Sequence, residues 1–177
     1  DGYVGRVRAE LAAQGVAEST AVFFITDNGR PFPRCKTSVY DSGIQSPLLV
    51  RWPQRVKAGS RTGSLVSTVD LANTFMELAG LPPVPSSQGV SFAAVLTAPE
   101  QPAREYVFLE HNWHDYTAYE RGVRDLRFKY IRNFWPELPG TPPADAVSGP
   151  TFQAMRHGRD TGELGPAHMT SVVKPRA

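Results

Sequence analysis

Ala21-Val22-Phe23-Phe24-Ile25-Thr26-Asp27-Asn28-Gly29 runs from an apolar segment straight into an Asp-Asn pair and a glycine. The apolar part is short, rich in β-formers and not alternating, so it reads as a strand covered on both faces, as in α/β proteins. Such a strand sets two hard oxygen donors, Asp27 and Asn28, at the carboxyl edge of a sheet. Upstream, Val4 to Gln14 reads as a helix, with Val4, Val7, Leu11 and Ala12 on one face and Arg6, Arg8 and Glu10 on the other. Asp1 can cap it and Gly15 can end it. Helix and strand together make half of an α/β unit.

Downstream, residues 29 to 46, with Pro31, Pro33 and Gly43, form a long loop of the kind compact domains keep for function. Pro47 to Pro53 reads as a second short strand. A helix follows from about Thr68 to Ala79, with Val69, Ala72, Phe75, Met76 and Ala79 as its apolar stripe and Asp70 in its first turn. Prolines and serines after Leu81 bracket a short segment around Val90 to Leu96, and a boundary is drawn near residue 102. The expected organisation is residues 1–101 as a sheet-and-helix core and 102–177 as a subdomain with a small antiparallel sheet. In that sheet Tyr106 to Glu110 is a strand, and Arg121 to Arg124 pairs with Arg127 to Arg132 across Asp125-Leu126. Phe128, Tyr130, Ile131, Phe134 and Trp135 are assigned to core, with Arg124, Arg127, Lys129 and Arg132 on a solvated face. Thr151 to Arg156 reads as a short helix.

Composition limits the function classes. A chain of 177 residues holds roughly one domain, or one plus an appendage. Its 19 Lys and Arg against 17 Asp and Glu give a net charge of +2 without a basic run, so nucleic acid is not an expected partner. A single cysteine, Cys35, leaves no internal disulfide framework and no multi-cysteine zinc site. There is no leader-like start, and no apolar stretch approaches the roughly 18 to 20 residues of a membrane span, so no membrane is expected either. The compartment is not identified.

Asp27 and Asn28 bear on chemistry in one of two ways. Asp-Asn-Gly is a common turn, because its side chains bond the local backbone and its glycine tolerates positive φ. Carboxylate and carboxamide oxygens also suit calcium, which takes about six to eight oxygen ligands. Lys36, eight residues past Asn28, adds a point charge for a sulfate or phosphate oxygen.

The chain resembles the type I sulfatases of the alkaline phosphatase superfamily, most closely the sulfamidase (heparan N-sulfatase-like) members. The likeness is carried by Val4-Gly5-Arg6-Val7, Ala17-Glu18-Ser19-Thr20, Phe24 to Gly29 and Pro31-Phe32-Pro33. It continues through Lys36 to Ile44, Pro47 to Pro53 and Ser67 to Leu71, with Gly149 to Gln153 as a later match. The resemblance implies the C-terminal part of an alkaline-phosphatase-like α/β core followed by the small antiparallel α+β subdomain. It also implies a calcium held in part by Asp27 and Asn28, and a sulfate contact for Lys36.

The departures set the expected limits. Family members make a formylglycine nucleophile from a Cys/Ser-x-Pro-x-Arg motif, and Cys35-Lys36-Thr37-Ser38-Val39 is not one. Formylglycine and the remaining metal ligands are expected in an N-terminal half, so these residues alone are expected to be inactive. A sheet lacking its other strands invites pairing with that half or self-association. Glu110-His111-Asn112-Trp113-His114-Asp115-Tyr116 is a second constellation, able to stack on a sulfated sugar or small molecule and hydrogen-bond its hydroxyls. His114, then His111, Asp115 and Arg121 are its substrate-binding candidates, against the plainer reading of an exposed loop anchored by Trp113. His157 and His168 read as surface residues. Two other functions stand beside the sulfatase: a phosphoryl hydrolase of the same superfamily, and a non-catalytic interaction module that keeps the fold.

Overall fold

The computed structural model describes residues 1–165 and 168–169. In chain order the elements are α1 (Gly2–Ala13), β1 (Val22–Ile25), α2 (Asp41–Ile44), β2 (Leu48–Arg51), α3 (Asp70–Leu78), α4 (Ala93–Thr97), β3 (Val107–Trp113), β4 (Thr117–Arg124), β5 (Lys129–Asn133), α5 (Ala144–Val147) and α6 (Pro150–Asp160). They divide into two compact units, Asp1–Ile25 with Leu48–Val107, and Thr26–Pro47 with Phe108–Ala177. No described helix is long and apolar enough to cross a membrane.

In the first unit β1 and β2 form an antiparallel ribbon, with Val22 opposite Arg51 and Ile25 opposite Leu48. The expectation that β1 is covered on both faces is not met. Phe23 packs edge-on against Phe75 of α3, ring centroids 4.9 Å apart, while Phe24, Ile25 and Leu49 are 40%, 43% and 63% exposed. A two-stranded ribbon has one packing partner here and leaves its other face open. The apolar face of α1 is likewise unburied.

α3 inverts its expected stripe. Val69 and Phe75 are each 45% exposed, and the buried positions are Asp70, Asn73 and Thr74, which share one helical face by their spacing of three and four. The reason lies in what they touch. Residues 82–92 have no helix or strand of their own, so their backbone groups need partners elsewhere. Asp70 accepts the N–H groups of Ser67 (2.7 Å) and Val90 (2.8 Å) and is ion-paired with Arg104. Asn73 donates to the Gly89 carbonyl at 2.6 Å and accepts from Val84 N–H at 2.9 Å. Thr74 accepts from Phe92 N–H at 3.0 Å, and Phe92 and Val95 are buried beside this polar staple.

The second unit holds a three-stranded sheet in the order β3-β4-β5. β4 and β5 pair antiparallel from Glu120 opposite Asn133 to Arg124 opposite Lys129, and Asp125 closes the turn by accepting Arg127 and Phe128 N–H groups. The pairing expected from sequence is thus present, but its faces are exchanged. Phe128 and Tyr130 are exposed, whereas Lys129 turns inward to donate to the Val39 carbonyl at 3.0 Å. Phe134 stacks on Tyr119 at 4.4 Å, with Trp135 against the same ring at 5.5 Å. Val39, Ala146 and Phe152 are buried apolar residues of this unit.

Because Asp70 neutralises Arg104 and satisfies two backbone donors in a site closed to water, Asp70→Ala is expected to cost about 3–5 kcal/mol. Urea unfolding of the variant measures it, and a loss below about 1 kcal/mol would show that the staple is not a principal support of this unit.

Candidate functional site

The loop from Thr26 to Pro47 is folded closely upon itself. Gly29 N–H donates to the Gly43 carbonyl at 3.0 Å. A Cβ at Gly29 would run into the Ser42 carbonyl, and one at Gly43 into the carbonyls of Cys35 and Ser38, so only glycine fits either place. Lys36 sits between Arg34 at φ 61° and Thr37 at φ 66°, and a β-branched residue in that region is strained. The strain is held by hydroxyls: Ser38 Oγ lies 2.9 Å from the Arg34 carbonyl and 2.8 Å from that of Cys35, and Ser42 Oγ donates to Arg34. Cys35 is a free, half-buried thiol.

α2 fixes this loop within its unit. Asp41 accepts from Arg124 Nη1 at 2.8 and 2.9 Å and is also ion-paired with Lys129. The Lys129 hydrogen bond first, and then Arg124, hold its carboxyl below the ordinary carboxylate value.

Lys36 Nζ donates to Asp145 Oδ2 at 2.8 Å, which joins the loop to α5. That bond is the largest cause of a raised Lys36 pKa, with Asp115 and Asp27 adding to it through their charge. Asp115 accepts the Ala144 N–H at 2.6 Å and faces His114 Nδ1 at 3.1 Å; the backbone bond first, then His114, lower its pKa. Lys36, His114, Asp115 and Asp145 therefore form one chain of contacts with Asp27 within its electrostatic reach. His111 and Arg121 stand apart from that chain. His111 lines a shallow pocket with Tyr116, Glu120, Trp135 and Leu138, its Nδ1 3.5 Å from Glu120 Oε2. Arg121 lies 3.5 Å from Glu110 and stacks over the Tyr119 ring. Trp113 does not anchor its loop, being 72% exposed. Asp145 was not among the residues singled out from sequence. A faint signal was there, an acid just after Pro142-Pro143 at a helix start.

Asp27 is exposed and Asn28 half-buried, with Asn28 Nδ2 donating to the Gly29 carbonyl at 2.9 Å and Oδ1 left as the acceptor. One carboxylate and one carboxamide oxygen suit a hard divalent cation but supply only part of its shell. Among the described residues no group of three or more His, Cys, Asp and Glu is gathered closely enough to hold a metal.

Residues 35–139 match the family described as N-sulphoglucosamine sulphohydrolase, C-terminal. The chain belongs to that family. An ulvan-active sulfatase of Formosa agariphila is 36% identical to it over 171 residues, which are 96% of this chain and 28% of the relative. The N-sulphoglucosamine sulphohydrolase of Homo sapiens is 32% identical over 173 residues, 90% of this chain and 34% of that protein. The chain thus spans about a third of the length of these sulphohydrolase relatives. Among solved structures, BT4656 in complex with its substrate D-glucosamine-2-N,6-O-disulfate aligns with a TM-score of 0.63 at 21% identity, over 95% of this chain and 38% of that one. The fold is accordingly that of the C-terminal portion of an alkaline-phosphatase-like sulfatase.

The Asp41 clamp gives this unit a pH dependence of definite sign. A folded-state pKa below the ordinary 3.8 means the clamp's contribution is complete above that value and is lost as pH falls through the folded one. Asp41 is 51% exposed, so solvent screening limits the pair to about 0.5–1 kcal/mol. Asp41→Asn should therefore unfold more easily than the parent at pH 7, with the difference shrinking as pH falls below 3.8, as thermal melts across that range would show.

Proposed function

We propose that these residues are the C-terminal part of a calcium-dependent hydrolase of sulfate esters or sulfamates, with Asp27, Asn28 and Lys36 at its sulfate-binding corner. The observation that carries this reading is the Lys36 ammonium, hydrogen-bonded to Asp145 with the Asp27 charge within its electrostatic reach, in a chain of the sulphohydrolase family. Asp27 and Asn28 Oδ1 would hold the metal, which when bound polarises an oxyanion. Lys36 Nζ neutralises a sulfate oxygen. Asp115 orients His114 through Nδ1, leaving Nε2 to hydrogen-bond a sugar hydroxyl, and this favours a sulfated sugar as substrate.

The nucleophile is assigned to residues outside this chain, since no Cys/Ser-x-Pro-x-Arg occurs within it. The exposed Phe24, Ile25 and Leu49 of the first unit are assigned to contact with a complementary segment of such an enzyme.

The 177 residues alone are expected to give no turnover of an aryl sulfate. Turnover that chelation abolishes and Cys35→Ser preserves would overturn this assignment. Calcium should bind weakly, with a dissociation constant of roughly 10⁻³ M, because two side chains are a small part of its shell. Titration followed by the Asn28 side-chain amide resonances tests this: the shifts should vanish in Asp27→Ala, and their persistence would remove Asp27 from the metal site.

A further inference from the structure

We infer that Asp145 is the positioning residue for Lys36, holding its ammonium at one place so that an oxyanion meets a fixed charge instead of a mobile side chain. The inference rests on the proposed role of Lys36 as the sulfate contact and extends it to a residue 109 positions away. Three observations carry it. The Nζ to Oδ2 distance of 2.8 Å is that of a charge-assisted hydrogen bond, stronger than a neutral one. Asp145 is itself held in place, because Asp115 ties the preceding residue through Ala144 N–H at 2.6 Å, Pro143 before it is fully buried, and Ala146 after it is buried. At the other end Lys36 lies in a turn where Arg34 and Thr37 take positive φ, and the Arg34 carbonyl accepts from the Ser38 and Ser42 hydroxyls.

Strain of this kind persists only where the surroundings over-determine it. A lysine serving only as a surface ion-pair partner needs no strained turn, since its four-carbon stem reaches many geometries. Here a strained backbone carries Lys36 and a carboxylate holds its head. One carboxylate also leaves two of the three ammonium protons for a second anion.

The test is amine acylation of the full chain with N-acetoxysuccinimide at fixed pH, read residue by residue by mass spectrometry with exposed Lys57 as internal reference. Asp145→Asn should raise the labelling rate of Lys36 relative to Lys57 about two- to five-fold, and Asp145→Glu should return it toward the parent value, with circular dichroism unchanged in both. Asp145→Ser, whose hydroxyl can still accept the Ala146 N–H, should raise it likewise, and covers the case of an Asp145→Asn variant that fails to fold. An unchanged Lys36 rate in folded Asp145→Asn overturns the positioning role. Inorganic sulfate keeps the two inferences separable: faster labelling in Asp145→Asn with no protection by sulfate in either protein sustains the positioning role and counts against the sulfate assignment of Lys36.

Discussion

The close approach of backbone to backbone at Gly29 and Gly43 is the constraint from which the candidate site follows. With no Cβ at either position, the Gly29 N–H reaches the Gly43 carbonyl and the intervening residues close into a compact loop. Ordering such a loop costs about 1–2 kcal/mol per residue in backbone entropy, and a typical hydrogen bond returns only about 1 kcal/mol. The internal bonds therefore do not suffice by themselves. The Asp41 pairs to Arg124 and Lys129, and the burial of Val39, add to them by tying the loop to the β4-β5 hairpin. Asn28 and Lys36 are thereby carried on one loop, with Asp27 at its entrance.

The same principle, polar side chains serving an irregular backbone, organises the first unit and explains what its sequence conceals. Apolar periodicity locates α3 to within two residues at either end, because helix formation and its Gly80-Pro82 stop are local properties. It misplaces the buried face. Which side of a helix is buried depends on what packs there, and residues 82–92 bring unpaired amides and carbonyls that Asp70, Asn73 and Thr74 answer. The β4-β5 hairpin shows the same division. Its register is legible in Asp125-Leu126, yet alternation cannot say that Lys129 faces inward, because the reason is Asp41, 88 positions earlier.

For the site, legibility follows chain distance. Asp27, Asn28 and Lys36 lie within ten residues, and an apolar run ending in an Asp-Asn-Gly break marks them without any tertiary knowledge. His114 and Asp115 are adjacent in sequence and in contact in space. Their grouping with Lys36 was expected only through family likeness, and Asp145, which completes the grouping, was not found at all. His111 and His114 belong to one sequence constellation, Glu110 to Tyr116, yet His111 lies within β3 and faces Glu120, while His114 lies past the end of that strand beside Asp115.

The charges around Lys36 bear on which ligand this corner can accept. Asp27, Asp115 and Asp145 set three carboxylates against the one ammonium of Lys36, leaving an excess of negative charge. A sulfate brought to this corner gains from Lys36 and loses to the carboxylates, both effects damped by solvent at these exposed groups. A divalent cation on Asp27 and Asn28, as proposed, would reverse that balance by offsetting about two of the negative charges. On the proposed reading the two parts are thus interdependent: Lys36 fixed by Asp145 is not enough to hold an oxyanion, and the partial metal corner is what makes the remaining carboxylates tolerable.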